Sequence, residues 1–213
     1  MPKPKKSIPI DVPAYTLREA TRLTGISFGA LRAWTHGPNP IIRLAGDHWS
    51  FTNIVEAYTL RALRRTHGMR LDAVRKAVRY VERKLATPHP LASRAFRTDG
   101  VELFVDHFGT LINATKQGQV AMREVFDAHL KQVEYGHDGR ARRLYLDPDR
   151  RLIVIDPTVA FGRPIIKGTR VPLEVVAARF QGGEEPADIA ADYDIPEAQV
   201  NQAIRTLVSS HAA

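Results

Sequence analysis

Three carboxylates, Asp147, Asp149 and Asp156, fall within ten residues of one another. Clustered carboxylates can hold a divalent cation and support phosphodiester hydrolysis. Two of the three, however, belong to an Asp147-Pro148-Asp149 turn, where Asp side chains cap the backbone. The eight histidines are scattered, with no H-E-x-x-H pattern and no close pair. There is no cysteine, which removes thiolate nucleophiles, thiol metal sites and disulfides. The stretch FGRPIIKGTRVP, Phe161 to Pro172, follows an apolar strand (LIVID), as a phosphate loop would. It lacks the G-x-x-x-x-G-K-[ST] spacing, its Lys167 precedes Gly168, and Pro164 removes a backbone donor. These residues predict no catalytic group, no metal site and no cofactor. The expected role is binding.

The cations point to what is bound. The chain has 213 residues and 31 Lys+Arg against 23 Asp+Glu, a net charge of +8. Residues 1–85 hold 16 Lys+Arg and 6 Asp+Glu; residues 86–150 hold 9 of each; residues 151–213 hold 6 and 8. All the excess positive charge therefore sits in the head, where it attracts phosphate by releasing counterions. The length suits one large domain or two to three small ones, and 44% hydrophobic residues suffice for a core. No run approaches the roughly 18 apolar residues of a membrane span. The start, MPKPKKSIPID, is basic without an apolar stretch behind it, so no secretory signal is read and the expectation is cytoplasmic.

The elements that must position the head cations follow from caps and periods. Thr16 and Glu19 form a capping box that starts a helix at Leu17. Ala20 and Leu23 share a face, and Gly25 permits the left-handed turn that ends it. Ser27 caps a second helix whose apolar face is Leu31 and Trp34, leaving Arg32, Thr35 and His36 pointing elsewhere. Ile41–Leu44 and His48–Phe51 read as a small hairpin around Ala45-Gly46-Asp47. Thr52 is expected to cap a third helix, with Ile54, Val55, Tyr58 and Ala62 inward, Arg61, Arg64 and Arg65 outward, and Gly68 at its end. Leu71–Leu85 is an amphipathic helix on Val74, Val78, Val81 and Leu85, with Arg75, Lys76, Arg79, Arg83 and Lys84 outside.

This order resembles the MerR-like winged helix-turn-helix domain across about residues 14–85. The resemblance rests on Tyr15-Thr16, Leu23-Thr24-Gly25, Ser27, Leu31-Arg32 and Gly68 followed by Leu71. It implies that the Ser27–His36 helix enters the major groove of double-stranded operator DNA, with the hairpin on the backbone. The implied contacts are Ser27, Arg32, Thr35 and His36, then Arg43 and His48 on the wing, and Arg61 and Arg65 behind it. Two features differ from that family. The wing reads Gly46-Asp47-His48 without its usual Arg, and no long dimerising helix with effector cysteines follows residue 85.

Beyond a Pro-rich break at Pro88–Pro90, residues 86–150 read as a small α+β region. Strands are expected at Val101–Asp106 and Thr110–Asn113, a helix at Ala121–Val133, a loop at YGHDGR, and strands at Leu144–Leu146 and Leu152–Ile155. The tail reads as three helices, Leu173–Phe180, Pro186–Tyr193 and Pro196–Val208, the last with Val200, Ile204 and Leu207 inward. The resulting fold class is mainly α with small β elements. Its parts are a basic arm (1–13), the winged helix-turn-helix (14–85), the middle region (86–150) and a helical tail with a helix-turn-helix shape (151–213).

The tail segment DP-x4-GRPIIKGTRVPLEVVAARFQGGEEPADIAADYDIPEAQVNQAI looks like the family catalogued as domain of unknown function 433. Gly162, Pro164, Ile166, Gly168-Thr169-Arg170, Pro172, the Gly182-Gly183 pair, Ile189, Asp192 and Tyr193 match it. Members are typically antitoxins encoded beside PIN-like ribonuclease toxins, and the combination of head and tail is similar to one class of VapB-type antitoxins. The resemblance implies an autorepressor that neutralises a PIN-like toxin, as a homodimer or a higher assembly with it. The tail's net negative charge favours protein contact over DNA, with Gly162 and Gly168 setting unusual backbone angles in an ordered loop. Charge and loop position single out Arg140, Arg142, Arg143, Arg163, Lys167 and Arg170 to face an acidic toxin cleft. The alternative reading is a stand-alone MerR-like regulator whose middle region binds a ligand.

Overall fold

The computed structural model describes residues 10–65 and 70–211; the side chains of 64, 65 and 207–211 are outside that description. The expected places of the basic arm before Ile10, of Gly68, and of the Arg64, Arg65 and Leu207 side chains therefore lie outside the described residues. The chain is mainly α-helical with one small antiparallel sheet, strand order β1-β2-β3-β4. It divides into two compact units, Asp11–Arg142 and Arg143 onward together with Ile10.

The first unit opens with α1 (Leu17–Thr24) and α2 (Phe28–Thr35), then α3 (Phe51–Leu60), a 3-10 turn at Arg61–Arg65, and α4 (Leu71–Leu85). Every residue of α3 is buried, so this helix is the axis of the unit. Its cap is Ser50, two residues earlier than expected: Ser50 Oγ accepts from Asn53 N at 3.2 Å and Asn53 Oδ1 accepts from Ser50 N at 3.1 Å. Thr52 instead donates to Asp11 at 2.7 Å. The expected hairpin at 41–51 is not formed. Pro38 and Pro40 offer no N–H, and the successive Ile41 and Ile42 are both buried, with their N–H groups on the Trp34 carbonyl at 2.7 and 3.0 Å. Trp49 pairs with Tyr15 upstream instead.

A 3-10 turn at Pro90–Ala92 and a π turn at Phe96–Gly100 lead into α5 (Val101–Ile112), followed by α6 (Lys116–Leu130), β1 (Val133–Tyr135) and the start of β2 (Ala141–Tyr145). The strands expected at 101–106 and 110–113 are therefore one helix. Its buried residues are Val101, Phe104, Val105 and Phe108, the i, i+3, i+4, i+7 spacing of a helix face. The expected 121–133 helix starts earlier, where Thr115 Oγ1 accepts from Gly118 N at 3.1 Å. Phe96, Phe104 and Phe126 meet edge to face, with centroids 5.4–6.2 Å apart, in this core.

In the second unit the rest of β2 pairs with β3 (Ile153–Ile155), and β3 with β4 (Pro164–Ile166). Helices α7 (Leu173–Gln181), α8 (Pro186–Tyr193) and α9 (Glu197–His211) follow. Adjacent strand residues face opposite ways. Ile153 and Ile166 thus join Leu173, Val176, Ile189, Val200 and Ala203 in the main core, while Val154 and Ile165 pack with Tyr145 on the other face. In FGRPIIKGTRVP, Phe161 and Gly162 close a 3-10 turn (Ala160–Gly162) and Pro164–Ile166 is strand β4. The rest is a turn in which Gly168 (φ 83°) is followed by Thr169, whose N–H and hydroxyl both reach the Ile166 carbonyl at 3.0 and 2.8 Å.

Candidate functional site

The head presents one helix face to solvent. The Thr16–Glu19 box fixes the start of α1, with Glu19 N on Thr16 Oγ1 at 3.2 Å and Thr16 N on Glu19 Oε2 at 2.7 Å. Gly25 ends it at φ 65°. The turn is then clamped from below. Arg61 Nη1 donates to the Thr24 carbonyl at 3.1 Å while its guanidinium lies 4.7 Å from the Tyr58 ring. Ser27 caps α2, accepting from Ala30 N at 3.4 Å. Leu31 and Trp34 are buried, and Phe28, Gly29, Arg32, Ala33 and His36 are exposed. The pattern is that of a helix docked by one stripe with a free opposite stripe.

The DNA-contact candidates separate on this geometry. Ser27, Arg32 and His36 lie on or beside the free stripe of α2. Thr35 turns its hydroxyl back to the Leu31 carbonyl at 3.0 Å and meets His36 Nδ1 at 2.9 Å. Arg43 is bound to Glu82 at 2.5 Å, and Arg79 bonds the same carboxylate at 2.6 Å. Burial pushes the Glu82 carboxyl up, but the hydrogen bonds from Arg79 and Arg43 outweigh it and hold it below the usual range. His48 is exposed. Arg61 is committed to the turn, and the Arg65 side chain lies outside the described residues. Sequence reading missed the clamps from α4: Arg75 donates to the Ala33 carbonyl at 3.4 Å and Arg79 to that of Pro40 at 2.6 Å. Both sit on what reads as a solvated basic face. A shallow cleft of about 490 Å3 beside them is lined by Arg43, Arg79, Glu82, Arg83 and Thr87.

A second feature of this unit had no sequence signal. Glu56 is buried and bonded to His89 at 3.2 Å and to the Asn53 amide at 3.4 Å. Burial pushes the Glu56 carboxyl up, and the hydrogen bond to Glu56 pushes the His89 imidazole up as well. Asp11 ties to this region through Thr52 and an ion pair with Arg140.

The six cations singled out for an acidic partner are mostly paired. Arg140 bonds Asp11, Arg142 bonds Asp138 at 2.6 Å, Arg143 bonds Asp156 at 2.8 Å, and Arg163 bonds Glu174 at 2.7 Å. Lys167 Nζ is 5.4 Å from the Tyr145 ring, and Arg170 is exposed. Asp147 accepts from Leu152 N and Ile153 N, both at 2.8 Å, and Asp156 from Thr158 N at 2.9 Å. Asp147 thus caps the backbone as its place in the Asp-Pro-Asp turn suggests, Asp156 does so outside that turn, and Asp149 is exposed. Among the described residues no helix is long and apolar enough to cross a membrane.

The chain resembles known proteins along nearly its whole length. It is 27% identical to "Putative antitoxin VapB45" of Mycobacterium tuberculosis (strain ATCC 25618 / H37Rv), over 93% of this chain and 95% of that protein. It is 25% identical to "Uncharacterized protein Rv2308" of the same organism, over 92% and 90%. The crystal structure of Rv2018 from Mycobacterium tuberculosis matches at a TM-score of 0.74 and 27% identity, covering 92% of this chain and all of that one. Residues 153–205, from β3 through most of α9, match the family described as "Protein of unknown function (DUF433)".

Proposed function

We propose that this chain is the antitoxin of a type II toxin–antitoxin pair. It binds and occludes a PIN-like ribonuclease partner and represses its own operator through α1 and α2. The observation that carries the reading is the similarity to a protein named as a putative antitoxin, which spans both units. The helix-turn-helix geometry supports the DNA half: a capped α1, a left-handed Gly25, and an α2 whose free stripe holds Arg32 and His36. The charge distribution supports it further, with 16 of the 31 cations within residues 1–85. The chain acts by binding, and the ribonuclease chemistry belongs to the partner.

The test is co-expression with the product of the adjoining reading frame. Rescue of growth and co-purification of a PIN-like protein support the reading. A soluble chain that neither rescues nor captures that protein refutes it. The second half is tested by operator binding of the full chain at fixed salt.

A further inference from the structure

Ala160, Phe161 and Gly162 are three successive residues with left-handed backbone, at φ 47°, 56° and 75°. Only glycine favours that region, so Ala160 and Phe161 hold a disfavoured conformation. The Phe161 ring is 76% exposed, the most of any large hydrophobic side chain among the described residues. Its own fold gains nothing from placing an aromatic there.

The base of this knuckle is rigid. Asp156 Oδ1 accepts from the Thr158 N–H at 2.9 Å and from its hydroxyl at 2.6 Å, and the Asp156 carbonyl accepts from Val159 N at 3.0 Å. Gly162 N donates to Val159 O at 2.9 Å, and Arg163 N to Ala160 O at 3.1 Å. Val159 and Ala160 pack on Tyr145, Val154 and Ile165 beneath. A stiff base with an exposed aromatic tip is a preorganised contact, the kind of residue that anchors protein interfaces.

The surrounding charge indicates what the tip meets. The Tyr145 ring beneath the knuckle is flanked by Arg151, 3.9 Å from its centroid, and Lys167, at 5.4 Å. Arg143 and Arg163 border the same segment through Asp156 and Glu174. Those arginines thus engage Asp156 and Glu174, and six further acids of this unit lie in residues 184–197, where Arg179 bonds Glu184 and Asp192. Four cations, Arg143, Arg151, Arg163 and Lys167, thus stand against two carboxylates, Asp156 and Glu174, a local excess of positive charge.

We propose that Phe161 is the anchor of a protein–protein contact, inserting into an apolar pocket rimmed by carboxylates, with Arg163 and Lys167 facing the rim. The partner's identity, the PIN-like ribonuclease, rests on the antitoxin reading above. The experiment uses the full chain, wild type, Phe161→Asn and Phe180→Asn, against the purified product of the adjoining reading frame. Asn tolerates the left-handed backbone, and Phe180 is a 41% exposed aromatic on α7 that serves as control. Phe161→Asn is expected to weaken binding at least tenfold while the thermal midpoint of the free chain stays level or rises. Phe180→Asn is expected to bind within twofold of wild type. Unchanged affinity in Phe161→Asn overturns the anchor and leaves the antitoxin reading standing. If the wild-type chain fails to bind, the antitoxin reading falls and the anchor with it. A lowered thermal midpoint in Phe161→Asn overturns the claim that the ring packs on nothing of its own. Phe161-dependent binding of a labelled RNA or operator duplex, with protein binding intact, makes the knuckle a nucleic-acid contact instead.

Discussion

Replacing His89 with Ala removes the main partner of a buried carboxylate. The Glu56 side chain is 4% exposed and bonds His89 Nδ1 at 3.2 Å; what remains is the Asn53 amide at 3.4 Å. Breaking a buried ion pair from one side typically costs about 3–5 kcal/mol. Two features reduce that here. His89 is itself 33% exposed, so solvent screens part of the pair. The stranded carboxyl can also take up a proton, at about 1.4 kcal/mol for each unit between the ambient pH and its folded pKa. The expected loss is therefore about 2–3 kcal/mol near pH 6, where His89 carries its charge, and it shrinks as pH rises through the folded His89 value and the pair loses that charge. The pH dependence of the wild type has the same origin. The folded pKa values of Glu56 and His89 both lie above their ordinary values. Their contribution is thus complete below the unfolded values, about 4.5 for the Glu and 6.5 for the His, and is lost as pH rises through the folded ones. Asp11 and Arg140 also face His89, Asp11 favouring its charge and Arg140 opposing it. Glu56→Gln keeps a hydrogen-bonding group but removes the charge, so it should flatten the slope above about pH 6.5. Urea unfolding followed by circular dichroism from pH 5 to 8.5 measures both variants. A His89→Ala loss that does not shrink between pH 6 and pH 8.5 would refute the reasoning.

Two further outcomes follow from the head and its core. Arg32→Ala should cost operator binding about 1–3 kcal/mol selectively if Arg32 reads a base, or weaken all duplexes alike if it reads phosphate; titrations at fixed salt distinguish these, and unchanged affinity removes α2 from the groove. Phe104→Ala opens a cavity among Phe96, Phe108 and Phe126 and should destabilise the Asp11–Arg142 unit by about 3–5 kcal/mol, read from the urea midpoint.

Elements whose limits depend on neighbouring residues were legible in the sequence. Thr16 with Glu19 placed the start of α1, Gly25 its end, and Pro186 at a first turn the span of α8. Residues 101–112 misled because Val101, Leu103 and Val105 alternate like a strand. Burial follows Val101, Phe104, Val105 and Phe108 instead, and that choice is made by the aromatic core supplied from Phe96 and Phe126. Strand β4 was hidden by Pro164 at its first position, which a strand start tolerates. The contacts between distant segments had no local signal: Asp11 and Arg140 are 129 residues apart, Glu56 and His89 33. Nor does anything about Phe161 announce a left-handed backbone, since the tilt of the knuckle is imposed by the Asp156 cap and the cluster beneath it.

The arginines show why net charge overstates the surface a nucleic acid can meet. In the head, Arg43 and Arg79 share Glu82, Arg61 holds the Thr24 carbonyl, Arg70 pairs with Asp72, and Arg75 reaches across to Ala33. A guanidinium has five donors in a rigid fork and no acceptor, so it suits carbonyls orphaned at helix ends and turns as well as phosphates. Several of the 16 cations that make residues 1–85 basic thus serve as internal fasteners, holding α4 against the loops of the helix-turn-helix. The exposed remainder on α1 and α2 is short: Arg18, Arg22 and Arg32, with His36 beside them. Each phosphate contact contributes a salt slope of about −0.9. A slope set by these few residues is correspondingly shallow, and a steep one would require cations from α4, from the segment 41–51, or from a second copy of the chain. On the proposed reading, few side chains would carry DNA specificity and many would hold them in place, so loss of the clamps on the Thr24 and Pro40 carbonyls is expected to weaken operator binding as loss of Arg32 does.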